Sequence, residues 1–245
     1  MALDVGVTQK YGEPSYWNKR YKHDKTPFDW YQNYTSLAPL LRLYVPPPHR
    51  RILIVGCGNS AFSEDMADDG YEDIVNIDIS SVAIEAMQKK HSNHPQLKYF
   101  TMDVREMGTL ETGSFDAVID KGTLDTILCG NDSKQNSSSM LAEVGRVLKD
   151  KGVYILITYG APSYRLVYLK NSCKWKIKLH VIEKSISGVK DVDRKTWELT
   201  KPVPLNQKGK SMEDFIGATP DVHYIYVCVK DDSLERGEID ESVVE

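Results

Sequence analysis

The stretch RILIVGCGNSAFSEDM (residues 51–66) decides how this chain folds. Ile52, Leu53, Ile54 and Val55 run without interruption into Gly56, Cys57, Gly58, Asn59 and Ser60, and a helical pattern begins directly afterwards. A continuous apolar strand is one covered on both faces, as in a parallel sheet. The two glycines permit positive φ and let a ligand approach the backbone, and Ser60 is placed to cap a helix whose N-terminus faces that ligand. Asp78 stands twenty residues beyond Gly58, at the expected tip of the next strand. A carboxylate there accepts hydrogen bonds from both hydroxyls of a ribose.

Outward from this stretch the sequence alternates. Strands are predicted over residues 51–55, 74–78, 97–102, 115–120 and 153–158, and helices over 60–69, 80–91 and 139–149. That order predicts an α/β, Rossmann-like, mostly parallel sheet with helices on both faces. Two further helices, over 14–22 and 37–45, precede a PPPH run. Downstream, residues 174–184 alternate Trp175, Ile177, Leu179 and Val181 with Lys176, Lys178 and His180, and 222–230 is again strand-like. These two runs predict an antiparallel pair at the sheet edge. Residues 185–221 between them are long and polar, the pattern of a substrate-side loop or a small hairpin around Trp197. Residues 231–245 set seven acids against Arg236 and read as a disordered acidic tail. The expected organisation is an N-terminal helical lid or extension (1–50), one catalytic domain (51–230) and the tail.

Composition narrows the class. With 245 residues, 41% hydrophobic and 27% charged, the chain is long enough to bury a core without disulfides or metals. A net charge of -4 argues against a duplex nucleic acid partner, which needs clustered Lys and Arg. Cys57, Cys129, Cys173 and Cys228 form no CxxC pair, so no metal site is expected, and reduced thiols fit a cytoplasmic setting. Asp4 and polar residues stand where a signal peptide would need an apolar stretch, and no apolar run approaches membrane length, so no membrane partner is expected. Aromatics are front-loaded: Tyr11, Tyr16, Trp17, Tyr21, Phe28, Trp30, Tyr31, Tyr34 and Tyr44 all fall within residues 11–44.

Two cofactors compete for the glycine turn, because Gly56, Gly58 and Ala61 also satisfy the GxGxxA dinucleotide fingerprint. Against a dinucleotide, Ser63, Glu64 and Asp65 occupy the first helical turn, where carboxylates repel a pyrophosphate. They tolerate a cationic cofactor. S-adenosylmethionine carries a sulfonium and an ammonium and no phosphate, and it is the favoured reading. The Tyr21 to Lys25 spacing resembles a dehydrogenase pair but lies ahead of the sheet.

The order VGCGNS, NIDIS, TMDV and FDAVIDKGTLD resembles the class I S-adenosylmethionine-dependent methyltransferases. More narrowly, it is similar to a eukaryotic subfamily that includes methyltransferase-like 13 and the lysine methyltransferases of translation elongation factor 1-alpha. The resemblance implies a seven-stranded sheet with an antiparallel last strand. It also implies that Gly56 and Gly58 hold the methionine part of the donor, that Asp78 and Ile79 bind its ribose, and that Asp103 and the Val104 amide meet its adenine. Lys121 is placed against the cofactor, and Asp120 and Asp125 near the transferred methyl, where either could orient or deprotonate a lysine ammonium or simply cap the turn. Trp17 and Tyr21 lie four apart, on one helical face. They read either as a packing seam or, with Trp30, as a lid facing the sulfonium, and the resemblance favours the lid. The other six front-loaded aromatics read as packing. Arg20 reads as solvated, with the donor carboxylate as the alternative. The expected activity is methylation of a protein lysine, with S-adenosylhomocysteine as product and elongation factor 1-alpha as a plausible protein partner. A small-molecule methyltransferase and a catalytically silent S-adenosylmethionine-binding module are the alternatives.

Overall fold

The computed structural model describes residues 10–184, 197–205 and 221–234. Helices α1 (Pro14–His23) and α2 (Tyr34–Tyr44) precede the sheet. They are followed by β1 (Arg51–Val55), α3 (Phe62–Asp68), β2 (Asp73–Asp78), α4 (Ser81–Lys90), β3 (Leu97–Thr101) and β4 (Phe115–Lys121). Then come α5 (Thr123–Cys129), α6 (Ser133–Val147), β5 (Leu148–Thr158), α7 (Pro162–Ser172), β6 (Trp175–Glu183) and β7 (Val222–Lys230). The seven strands form one sheet in the order β3-β2-β1-β4-β5-β7-β6. It is parallel from β3 to β5, and β7 runs antiparallel to both β5 and β6. The Rossmann-like sheet and its antiparallel C-terminal pair are as the sequence predicts.

Alternation along each strand divides the core in two. Ile52 and Ile54 join α2, α3 and α4 on one face, while Leu53 and Val55 join α5, α6 and α7 on the other. Burial on both faces is why the inner strands read as unbroken apolar runs. At one edge, β3 alternates, with Leu97 and Tyr99 buried and Phe100 exposed. At the other edge the lysines of β6 face outward: Lys176 pairs with Asp231 at 3.1 Å and Lys178 Nζ lies 5.6 Å from the Tyr44 ring. Charged side chains on an edge strand discourage pairing with another chain.

Four local readings change. Helix α6 starts at Ser133, six residues before the predicted position, through the polar run SKQNSSS. Ser and Asn compete with the helical backbone in isolation; here Ser137 Oγ donates to the Lys134 carbonyl at 3.1 Å while Met140, Leu141, Val144 and Val147 pack. Helices α5 and α7 have no counterpart in the sequence reading. The first is too short to display a period, and the second exposes Tyr164 and Val167 while burying Arg165, which inverts the expected pattern. The acidic stretch is not uniform: Asp231 is buried and accepts from Lys151 and Ser233, and residues 235–245 lie outside the described residues. Most of 185–221 also lies outside them, but Trp197 packs against the core and the Val203 amide reaches the Leu179 carbonyl at 2.7 Å. Among the described residues no helix is long and apolar enough to cross a membrane.

Candidate functional site

At the carboxyl ends of β1 to β4 lies a cleft enclosing about 990 Å³, open solvent at its mouth included. Its floor is the glycine bend. Gly56 and Gly58 have φ of 62° and 53°, a region that costs other residues about 1–2 kcal/mol. A Cβ at Gly56 would overlap Thr123 Oγ1, and one at Gly58 would overlap Tyr21 Oη. The bend is pinned to β2, because the Cys57 amide reaches the Ile77 carbonyl at 3.0 Å and the Gly58 amide reaches Asp78 Oδ2 at 2.8 Å. The Ser80 amide takes Asp78 Oδ1 at 2.8 Å. Burial pushes the Asp78 carboxyl up to about 6, against these two amides, which favour its charge. The α3 N-cap is Ala61 rather than Ser60; Ser60 Oγ accepts from the Phe62 amide at 3.0 Å and donates to Asp29.

Asp103 and Val104 follow β3 and line the same cleft. Burial raises the Asp103 carboxyl, but hydrogen bonds and charge from Arg105 outweigh it and hold it below the usual range. Arg105 Nη2 sits 2.6 Å from Asp103 Oδ2, and the Arg105 amide takes Oδ1 at 2.9 Å. Asp103 thus caps its own turn while lining the cleft.

The roof comes from ahead of the sheet. Asn18 docks α1 on the start of α4, accepting from Ser80 Oγ at 2.7 Å. Trp17 stacks on Tyr21 with ring centres 6.0 Å apart, and its indole nitrogen donates to the Tyr11 carbonyl at 2.7 Å. Trp17, Tyr21 and Trp30 line the cleft, and so do Tyr11 and Phe28, which the sequence reading had assigned to packing. Arg20 is not simply solvated: its guanidinium carbon lies 5.9, 5.7 and 5.5 Å from the Trp17, Phe28 and Trp30 rings. Lys121 also lines the cleft. Its Nζ meets Asp29 Oδ1 at 2.8 Å and the Trp30 carbonyl at 3.3 Å, and burial lowers its pKa despite Asp29.

The two aspartates expected beside the transferred methyl are not on the cleft wall. Asp120 is fully buried and accepts from the Thr123 and Leu124 amides at 2.7 and 3.2 Å and from Tyr154 Oη at 2.8 Å. Burial pushes its carboxyl up to about 7. Asp125, also buried, accepts from Thr158 Oγ1 at 2.5 Å, Arg165 Nη2 at 2.7 Å and Tyr31 Oη at 2.6 Å. Both carboxylates cap or brace the β4 to α5 turn from behind. Tyr31 reaches Asp125 from a backbone with φ of 64°. Its conformation is held by the Gln32 amide bonding back to the Trp30 carbonyl at 2.8 Å and by Gln32 Nε2 reaching the Glu183 carbonyl at 2.8 Å.

Asp29, Tyr31, Arg105, Thr158 and Arg165 carry these interactions and were not selected as site residues from sequence. Only the Arg105 to Asp103 spacing left a local signal. The others reach their partners across 31 to 94 positions, where no motif connects them; Asp125 and Tyr31 are separated by 94.

A sequence family described as a methyltransferase domain matches residues 53–156. The chain is 36% identical over 180 residues to EEF1A lysine methyltransferase 4 of Mus musculus, covering 69% of this chain and 70% of that protein. It is 35% identical over 192 residues to the eEF1A lysine and N-terminal methyltransferase of Homo sapiens, covering 76% of this chain and 27% of that protein. The chain spans about a quarter of the length of the eEF1A lysine and N-terminal methyltransferases it matches. Among solved structures, a SAM-dependent methyltransferase of Methanosarcina mazei superposes with a TM-score of 0.55 at 17% identity, covering 79% of this chain and 97% of that one. The structural likeness bears on the fold alone. Identity above one third along more than two thirds of a relative is common descent rather than a shared scaffold, and the chain belongs to the S-adenosylmethionine-dependent methyltransferases, in the group of the eEF1A lysine methyltransferases.

Proposed function

We propose that this protein moves a methyl group from S-adenosylmethionine to a lysine side chain of translation elongation factor 1-alpha. The observation that carries this reading is the 36% identity with EEF1A lysine methyltransferase 4 over 70% of that relative. The residues of the cleft fit the donor. A buried carboxylate at the tip of β2 suits a ribose diol, the Asp103 carboxylate and Val104 amide suit the adenine edge, and the glycine bend leaves room for the methionine part. The bound donor supplies an electrophilic methyl on a sulfonium.

In this reading Asp78 orients the ribose, with Ile79 beside it. Trp17, Tyr21 and Trp30 exclude water and present ring faces to a cation. Asp29 neutralises Lys121, so the wall does not repel that cation. Asp120 and Asp125 act through the turn they hold rather than by touching the acceptor. The lysine ammonium sheds its proton to solvent, and the wall aligns the resulting amine for in-line attack. Incubation with labelled donor and purified elongation factor 1-alpha, followed by mass spectrometry, is expected to place label on one or a few lysines. Label confined to the small-molecule fraction of a cytosolic extract would instead support a small-molecule methyltransferase. Donor binding with no transfer to any acceptor would leave a silent binding module.

A further inference from the structure

Tyr31 adopts a left-handed backbone, with φ of 64°. A left-handed, bulky residue persists only where its surroundings over-determine it, and such residues cluster at functional sites. Its ring covers Gly122 on the cleft wall, so closely that a Cβ at Gly122 would press on it. On the other side it faces Tyr159 at 6.3 Å and His223 at 4.8 Å between ring centres. Tyr159 is half exposed, at the end of β5. The Tyr31 ring therefore packs between Gly122 of the cleft wall and the half-exposed Tyr159. The Tyr31 hydroxyl proton is committed to Asp125, and the hydroxyl oxygen keeps acceptor capacity. Asp125 has little left to offer directly, since Thr158 and Arg165 occupy Oδ1 and Tyr31 occupies Oδ2.

We propose that Tyr31 is the acceptor-positioning residue: its phenol oxygen accepts an N–H from the incoming primary amine and turns the nitrogen lone pair toward the sulfonium, while the Tyr31 and Tyr159 rings flank the aliphatic stem. This inference rests on the lysine reading above. The ammonium first gives one proton to water. The nitrogen pair then forms the N–CH3 bond, the S–CH3 bond breaks with its electrons remaining on sulfur, and the N–H held by Tyr31 stays on nitrogen. Tyr31 moves no proton. Asp125 and Arg165 act one step further back, fixing the hydroxyl and leaving the pair neutral, so the wall offers no net charge to trap an unreactive ammonium.

The test is Tyr31→Phe, which keeps the ring, assayed on elongation factor 1-alpha alongside S-adenosylhomocysteine titration and melting temperature. The expected result is at least a tenfold fall in kcat/KM for the acceptor, S-adenosylhomocysteine affinity within twofold of wild type, and an unchanged rise of kcat/KM with pH. Tyr31→Asn, which suits a left-handed backbone, is the second variant should the first fold poorly, and it should lose acceptor turnover in the same way. Wild-type turnover in either folded variant, a matching loss of S-adenosylhomocysteine affinity, or a flattened pH limb in Tyr31→Phe would overturn the proposal. If the wild-type protein methylates no lysine, the lysine reading fails and takes this inference with it. If it does so and Tyr31→Phe is equally active, only this inference fails.

Discussion

Asp29 Oδ1 lies 2.8 Å from Lys121 Nζ although ninety-two positions separate them, and that contact ties the segment after α1 to the end of β4. The Lys121 side chain is 10% exposed. In the proposed reading a buried ammonium on the cleft wall would oppose a cationic donor, and Asp29 cancels it where it arises. The same carboxylate oxygen accepts from Ser60 Oγ, so roof, glycine turn and β4 share one acceptor.

Asp29→Ala should weaken S-adenosylhomocysteine binding about tenfold and cost about 1–3 kcal/mol of stability, because Lys121 is left without its partner. Lys121→Met in the same background should recover part of both losses, since it removes the orphaned charge. Calorimetric titration and urea melts of the four proteins close the cycle. Independent, additive effects would show that the pair is not the latch described.

Gly58→Ala should cost about 1–2 kcal/mol from its positive φ alone, with a further loss from the overlap with Tyr21 Oη. Donor affinity should fall more than tenfold, because Tyr21 lines the cleft and must shift to make room. Adding Tyr21→Ala should relieve the overlap without relieving the backbone. Full recovery of stability in that double variant would mean φ is not the limiting term.

Donor affinity should depend on pH through Asp78. Burial raises this carboxyl to about 6, and in the proposed reading its ionised form is the one that accepts both ribose hydroxyls. Affinity for S-adenosylhomocysteine should therefore be full near pH 7.5 and fall as pH drops through 6, approaching tenfold per pH unit below it. Asp78→Asn should bind weakly at every pH and show no such slope. A slope that survives the substitution would assign the titration to another group.

The fold was legible because its signals are local: a four-residue apolar run before Gly56, serine and glycine punctuation, and β6 alternation. Asp78 and Asp103 stand at or just past strand ends at fixed places in the order, and both line the cleft. Asp120 and Asp125 were taken from the resemblance, yet neither lines the cleft, since α5 begins at Thr123 and its open amides take Asp120. That helix is seven residues long and leaves no periodic trace. Tyr31 and Asp29 belong to a segment with no regular structure, so only the folded chain could bring them to β4 and α5. The aromatic excess of residues 11–44 indicated a roof but could not sort its members; Tyr11 and Phe28 line the cleft, while Tyr34 donates to Asp69 and Tyr44 meets His180.

Arg165→Met tests the brace behind Tyr31. Arg165 and Asp125 form a pair with side chains only 6% and 4% exposed, and removing one partner of a buried ion pair typically costs about 3–5 kcal/mol. The loss should appear as a lower urea midpoint at pH 8. Asp125→Asn combined with Arg165→Met should restore most of the stability, since no charge then remains stranded. Turnover should not return with it, because the amide no longer fixes the Tyr31 hydroxyl as the carboxylate does. Recovery of both stability and acceptor turnover in the double variant would reduce the Asp125 network to packing, and recovery of neither would mean that Arg165 holds α7 by contacts other than this pair.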